Sequence, residues 1–481
     1  KVRSCKIMGK NIADLASLPI DEAIEFIKQI DKPLAVDLKK EIIKRLTALQ
    51  DIGLSYLSLN RGTDTLSGGE AQRIKIAKYI NSALTDMLYV LDEPSVGLHP
   101  KDIALMKKSL IKLREHGNTV LIVEHHREVI KLADHVIDMG PGAGINGGSI
   151  MFCGSYEELL QKEDNITAKM LRLKTPVKEE VRIPTSWLQI ENAGLHNLKN
   201  VSVKLPLGVM TVIAGVAGSG KSSLMDYFEN IYPENVIFIR QKNIGINIRS
   251  TPATYLEIWD DIRNIFANVN AVSNAFFSFN SLGGCPACGG KGIIVSGMAF
   301  MDAIETVCEV CGGTRFSKES LEYKYKEKNI AEVMDLTVNQ AIAFFEGEKF
   351  IPKLMSLKKV GLGYLHLNQS MTTLSGGELQ RVKLAGKLKE KGKIFILDEP
   401  TDGLHLDDIT HLMALFNEMT DAGNTLFIIA HSVDVMKDAD YIIELGEGGG
   451  EKGGKILFAG TVAEMLKSKN SITAKYIKES I

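Results

Sequence analysis

The sequence has no long hydrophobic run. None of its apolar stretches approaches the roughly 20 residues that a membrane-crossing helix needs, so no membrane span is expected. It also lacks an excess of either charge. There are 57 basic and 59 acidic residues, a net of −2, which gives no global case for nucleic-acid binding and leaves only a local basic stripe open. Cysteine is scarce: four of the six fall into two Cys-x-x-Cys pairs, and Cys5 and Cys153 stand alone. That usage suits a reducing cytoplasm rather than a disulfide-stapled secreted scaffold. No secretory leader is legible at Lys1. Apolar side chains are present in ordinary amount, 45% of 481 residues, enough for sizeable cores in about two to four domains.

The most informative positive feature is internal repetition. Residues 117–123 (Gly-Asn-Thr-Val-Leu-Ile-Val) return as residues 423–429 (Gly-Asn-Thr-Leu-Phe-Ile-Ile), 306 positions on. Leu91-Asp92-Glu93-Pro94 returns at the same spacing as Leu397-Asp398-Glu399-Pro400. Leu66-Ser67-Gly68-Gly69-Glu70 returns 308 positions on as Leu374-Ser375-Gly376-Gly377-Glu378. Residues 190–327 precede the second copy, and nothing equivalent precedes the first. The expectation is an incomplete first unit followed by a complete second, in a chain that is a fragment or one piece of a longer polypeptide.

Residues 19–50 carry apolar positions at helical spacing. A helix is expected from Ser67 through Lys78 and another over Lys101–Glu115, with short buried strands at Met87–Leu91 and Thr119–Val123. Strands alternating with helices imply a parallel sheet covered on both faces. Residues 172–186, with Lys, Glu and two Pro, read as the linker between halves. The second half restarts with β character over Leu188–Leu205, then a strand at Met210–Ala214 and a helix from Lys221. Residues 250–330 break this rhythm and read as an inserted module. The resulting division is 1–171, the C-terminal portion of a first unit; 172–186, the linker; 187–249, the loop-bearing part of a second unit; 250–330, the insertion; and 331–481, the remainder of the second unit.

Gly215-Val216-Ala217-Gly218-Ser219-Gly220-Lys221-Ser222 fits the phosphate-loop pattern and lies between an expected strand and an expected helix, the context this motif requires. Its glycines let backbone amides converge on phosphate oxygens at a helix N-terminus. Lys221 would neutralise β- and γ-phosphates and Ser222 would hold Mg²⁺. Asp398 and Glu399 end an apolar strand; Asp398 would support Mg²⁺ and Glu399 would orient or deprotonate the attacking water, although such a pair alone also suits a turn or a helix cap. His431 lies 32 residues after Glu399, as His125 does after Glu93, which suggests a γ-phosphate contact rather than a structural histidine. Ser67 with Glu70, and Ser375 with Glu378, are spaced as capping boxes. Two glycines in a helix's first turn cost about 1 kcal/mol each against alanine, which makes sense where a phosphate must approach closely. Cys285, Cys288, Cys308 and Cys311 have the spacing of a four-cysteine zinc site, with a redox pair or free thiols as the alternatives. All four ligand positions would be filled, so the zinc would be structural.

Together these motifs resemble the ATP-binding-cassette superfamily. Ser95-Val96-Gly97-Leu98-His99 and Thr401-Asp402-Gly403-Leu404-His405, with a four-cysteine cluster between phosphate loop and signature, make the chain similar to the UvrA family, which belongs to the bacterial excinuclease of nucleotide excision repair. The resemblance implies an α/β fold of two ATPase cassettes, the first incomplete and the second carrying an inserted zinc module. It implies a nucleotide held between one cassette's phosphate loop and the other's signature. Gly215, Gly218, Ser219, Gly220, Lys221, Ser222, Ser223, Asp398, Glu399 and His431 would then join Ser67, Gly68, Gly69 and Glu70. Gln241 matches the glutamine that senses Mg²⁺ and the attacking water. The other site would have Asp92, Glu93, His125 and the signature at 375–378 but no phosphate loop, so one functional site is expected. The implied activity is ATP hydrolysis, without a nuclease site of its own, and the implied cofactors are Mg²⁺ and Zn²⁺. The implied partners are damaged double-stranded DNA, a second copy, and other repair proteins through an N-terminal region that this chain lacks. The implied location is the cytoplasm.

The chain also departs from the family. Gln241 is followed by Lys242-Asn243-Ile244-Gly245-Ile246-Asn247, and the first cysteine pair by an uncharged stretch over residues 293–300. A surface that tracks phosphates should gain Lys and Arg. The alternative is therefore a UvrA-like paralogue serving resistance to DNA-binding antibiotics. A transporter motor is a third reading, and the zinc module argues against it.

Overall fold

The computed structural model describes residues 4–63, 66, 68–80, 84–142, 144, 147–240, 249–298 and 301–481. They form two compact units. One comprises Lys1–Met139, Ile150–Ile239 and Lys391–Ile481; the other comprises Gly140–Ser149 and Arg240–Glu390.

The first unit is built on a six-stranded sheet, in the order Ile456–Gly460, Tyr441–Leu445, Met210–Gly215, Thr425–Ile429, Ile394–Asp398, Val236–Ile239. All neighbours are parallel except the edge pair of Tyr441–Leu445 with Ile456–Gly460. The central strands are apolar at nearly every position because both faces are covered. On one face lie the antiparallel ribbon Ser186–Ala193/Val201–Leu207 and the helix Lys221–Ile231, with Ile190, Leu205, Phe228 and Phe427 in the shared core. The helix Leu406–Asp421 lies along Met210–Gly215 and Thr425–Ile429. In such a sheet the loops leaving the C-terminal strand ends converge. Those loops carry Gly215, Glu399 and His431.

The earlier repeat departs from expectation. Leu88–Asp92 pairs in parallel with Thr119–Val123, and Val136–Gly140 pairs with Ser149–Gly154. In the later repeat, Met210–Gly215 stands between the counterparts of these pairs; no described strand does so in the earlier one. The strands expected to be buried are therefore covered on one side only. The helix Pro100–Glu115 buries Leu91, Val120 and Ile122 against Ile103, Met106 and Leu110. On the other side Leu88, Val90, Leu121 and Val123 are 62%, 61%, 48% and 49% exposed. Nearby, the amphipathic helices Ile20–Lys28 and Val36–Asp51 pack with Gly68–Ile80 in a separate core. Within residues 172–186, Lys178 Nζ lies 2.8 Å from Asp440, and Arg182 binds both Asp421 and Asp440.

The second unit is smaller. The helix Trp259–Asn270 packs on an aromatic core of Phe266, Phe277, Tyr325 and Phe345. An antiparallel hairpin, Ile293–Met298/Met301–Val307, projects between the two cysteine pairs. The helices Ile330–Met334, Val338–Phe344, Ile351–Lys359 and Gly376–Ala385 complete it. No helix among the described residues is long and apolar enough to cross a membrane.

Candidate nucleotide site and metal centre

The strand Met210–Gly215 is buried throughout and delivers its chain to a loop that only glycine can build. Gly215, Gly218 and Gly220 have φ of +138°, +71° and +102°. A β-carbon on Gly215 would lie 2.2 Å from the Leu445 carbonyl oxygen. Gly220 occupies the N-cap of Lys221–Ile231 without a side-chain cap, so the first-turn amides have no side-chain acceptor. Ser222 is exposed and Ser223 half-buried on that turn, while the hydroxyl of Ser219 is buried without a partner.

Lys221 is buried. Its Nζ donates to the carbonyls of Gly215 (3.0 Å) and Val216 (3.3 Å) and faces His431 Nε2 at 2.9 Å. Glu399 Oε1 lies 3.2 Å from the same nitrogen. Burial, then the neighbouring Lys221, holds the His431 imidazole well below its usual pKa, so it is neutral and can accept from lysine. Burial, reinforced by Asp402, holds the Glu399 carboxyl well above the carboxylate range. Burial also lowers Lys221, against the pull of Glu399 and Asp398. Glu399 itself has φ +51°, and Glu93, at the matching position, +43°. Non-glycine residues in this region carry strain of about 1–3 kcal/mol and cluster at functional sites.

Residues of the earlier repeat reach this loop. The Tyr56 ring fits between Gly218 and Gly449: a β-carbon on either would lie 2.8 Å or 2.7 Å from it. The Tyr56 hydroxyl donates to Glu70 Oε1 at 2.5 Å, and burial raises its pKa. Glu70 sits in the first turn of the helix Gly68–Ile80, so Tyr56 links the signature helix start to the phosphate loop. Ser67 and Gln241 lie outside the described residues; Gly68 and Gly69 are helical. In the smaller unit Tyr364 donates to Glu378 at 2.5 Å, and Ser375 closes a capping box with Glu378. Motif reasoning misses Tyr56, although its signal is there: Gly53-Leu54-Ser55-Tyr56-Leu57 recurs as Gly361-Leu362-Gly363-Tyr364-Leu365.

The other acidic turn is looser. His125 Nε2 is 3.6 Å from Glu93 Oε1, with the two side chains 36% and 32% exposed, against 8% and 13% for His431 and Glu399. The two turns abut: a β-carbon on Gly403 would lie 3.0 Å from Glu93 Oε2.

In the smaller unit the four sulfurs of Cys285, Cys288, Cys308 and Cys311 lie within 4.8 Å of one another, and Cys288 Sγ is 3.8 Å from Cys311 Sγ. Tetrahedral zinc with Zn–S bonds of about 2.3 Å requires sulfurs about 3.8 Å apart. Gly290 follows the first pair at φ +73°, where a β-carbon would strike the Phe279 carbonyl at 1.7 Å, and the Gly292 amide donates to Cys288 Sγ. The cluster therefore fits a four-thiolate metal centre.

Sheet, loop, acidic strand end and histidine define an ATP-binding-cassette fold. The family model described as ABC transporter matches residues 198–402. The chain is 45% identical to UvrABC system protein A of Aquifex aeolicus (strain VF5), over 98% of this chain and 56% of that protein. The crystal structure of UvrA2 from Deinococcus radiodurans superposes with a TM-score of 0.93 and 36% identity, covering 100% of this chain and 64% of that one. A likeness of fold alone, TM-score 0.55 at 20% identity, extends to ribosome-bound archaeal Pelota and ABCE1, over 92% of this chain and 63% of that one. The chain belongs to the UvrA family. It spans little more than half the length of the curated relatives it matches.

Proposed function

We propose that this chain binds and hydrolyses ATP at one composite site, as part of a damage-sensing, DNA-binding protein of nucleotide excision repair. The observation that carries the reading is Lys221 held 2.9 Å from His431, with Glu399 3.2 Å from that histidine and Tyr56 of the other repeat against the same loop. Two cassettes, the first incomplete, would enclose the nucleotide. Lys221 exchanges its carbonyl and histidine partners for phosphate oxygens. The amides of Gly218, Ser219, Gly220 and Ser223 line the loop. Ser222 and Asp398 hold Mg²⁺, which when bound neutralises phosphate charge. Glu399 orients the attacking water or, as the carboxylate, accepts its proton, and His431 contacts the γ-phosphate. Gln241 positions that water, and Ser67, Gly68, Gly69 and Glu70 present the opposing helix start. The four cysteines hold a structural zinc. Closure and reopening alter a DNA surface; damaged duplex, a second copy and further repair proteins are the proposed partners in the cytoplasm.

Binding to damaged and undamaged duplex, titrated with salt, tests the DNA role. A preference for damage and a steep salt slope are expected; equal, salt-independent binding contradicts it. One observation favours the resistance paralogue as a second reading. The hairpin in the inserted module exposes Ile294, Val295 and Val307, an apolar surface rather than a cationic one. Tight binding of an intercalating antibiotic in the absence of DNA would favour that reading.

A further inference from the structure

The histidine that follows each acidic turn points into the opposite repeat. His99 is fully buried. Its Nδ1 accepts the Lys101 amide at 3.2 Å and so caps its own helix, Pro100–Glu115. With that lone pair in use, the neutral ring carries its proton on Nε2, which lies 3.0 Å from Thr473 Oγ1 and donates to it. The Thr473 hydroxyl in turn donates to Glu444 Oε1 at 2.6 Å, and the same oxygen accepts the Thr473 amide at 2.8 Å. Glu444 pairs with Ala214 on the strand that feeds the phosphate loop. The chain of donors thus runs from His99 through Thr473 to the central sheet.

The other side of His99 meets the site. Its ring stands edge-on to His431 at 6.2 Å and 79°, and edge-on to Tyr476 at 5.7 Å. His431 needs this wall, because its Nδ1 is buried without a hydrogen-bond partner and so does not fix the ring.

The arrangement occurs twice, in opposite directions. His405 caps Leu406–Asp421 through Nδ1, and its Nε2 lies 3.0 Å from Thr167 Oγ1, which donates to Asp138 at 2.8 Å. The His405 ring is edge-on to His125 at 6.3 Å and 87°. All four positions of this second link stand 306 residues from those of the first. A chance contact would not recur reciprocally at every member.

We propose that His99, held by Thr473, is a positioning residue for His431, supplied by the earlier repeat to the later repeat's nucleotide site. The inference rests on the ATP-site reading. The acidic turn of the earlier repeat then supplies His99 to the site that holds Glu399 and His431.

Thr473→Val keeps the shape of the side chain and removes the hydroxyl, Thr473→Ser keeps the hydroxyl, and His99→Asn keeps the helix cap while removing the ring. Steady-state ATP hydrolysis is measured for wild type, these three and Lys221→Ala. Thr473→Val and His99→Asn should lower kcat about tenfold with KM for ATP within about threefold, and Thr473→Ser should stay within about twofold of wild type. The proposal is overturned if both variants turn over like wild type, if kcat and binding fall together, or if serine fails to rescue. Wild-type turnover no greater than that of Lys221→Ala would instead sink the ATP-site reading. In that case ¹⁵N-histidine NMR decides: His99 should be the Nε2–H tautomer, and His431 signals should move in Thr473→Val but not in Thr473→Ser. Unmoved signals overturn the link.

Discussion

The Tyr56 ring leaves no room for a β-carbon on Gly218, which would lie 2.8 Å from it, and the same tyrosine's hydroxyl is bonded to Glu70. A residue of the earlier repeat therefore rests on the phosphate loop of the later one. Tyr56→Phe removes the hydrogen bond to a buried carboxylate, so it should destabilise the chain by about 1–3 kcal/mol. A urea midpoint equal to wild type would contradict the contact.

Lys221 and Glu399 should fail differently. Lys221→Ala removes the only lysine bonded to His431 among the described residues, so it should abolish ATP binding and turnover together. Glu399→Gln should keep binding and reduce turnover by about a hundredfold or more, because only proton removal is lost. Fluorescent-nucleotide titration beside phosphate release separates these outcomes; equal binding loss in both variants would refute the assigned roles.

The metal centre predicts one zinc per chain by elemental analysis. Cys308 is fully buried, so Cys308→Ser should lose the metal and make residues 250–330 sensitive to protease. Metal-free protein with a full complement of reactive thiols and unchanged stability would contradict ligation.

His99 gives a pH dependence of definite sign. Burial, then Lys221 and Lys101, depresses its pKa from 6.5 to about 3. His431, Tyr476 and the Thr473–Glu444 pair also face it. Unfolded chains take up a proton below pH 6.5 while the folded protein does not, so stability present above 6.5 is lost on acidification toward pH 3. The limiting slope is about 1.4 kcal/mol per pH unit. Glu399 shifts in the opposite sense but is shared with His99→Asn, so the difference between wild type and that variant isolates the histidine. Urea unfolding at pH 7.5, 6.5 and 5.5 should show wild type losing ground to His99→Asn below 6.5; a constant difference would contradict a buried neutral ring.

Much of this was legible in the sequence because the signals are local. Gly215–Ser222 needs only its own glycines and the flanking strand and helix, and the four cysteines announce themselves by spacing. The open face of the earlier repeat was not legible. Leu88, Val90, Leu121 and Val123 read as buried because the run is apolar throughout, and only the sheet's strand order shows that nothing described covers them. Tyr56 and the His99–Thr473 link were hidden for a related reason. Their partners in the opposite repeat, Gly218 and Gly449 for Tyr56 and Thr473 for His99, lie more than 150 residues away, and only the folded chain brings them together.

That open face has its own consequence. Replacing Val90 and Leu121 with Thr should reduce aggregation and dye binding to exposed apolar surface without altering ATP affinity, since neither touches the loop. Unchanged aggregation would mean the face is covered in solution.

The central claim is that the signature helix start of residues 66–70 closes on nucleotide held by Lys221. The direct measurement is a crystal structure of the protein with Mg²⁺ and a non-hydrolysable ATP analogue. The account predicts the γ-phosphate within hydrogen-bonding distance of Lys221 Nζ and His431 on one side and of the Gly68–Gly69 amides on the other. Nucleotide bound by the later repeat alone, with that helix start turned away, would contradict it.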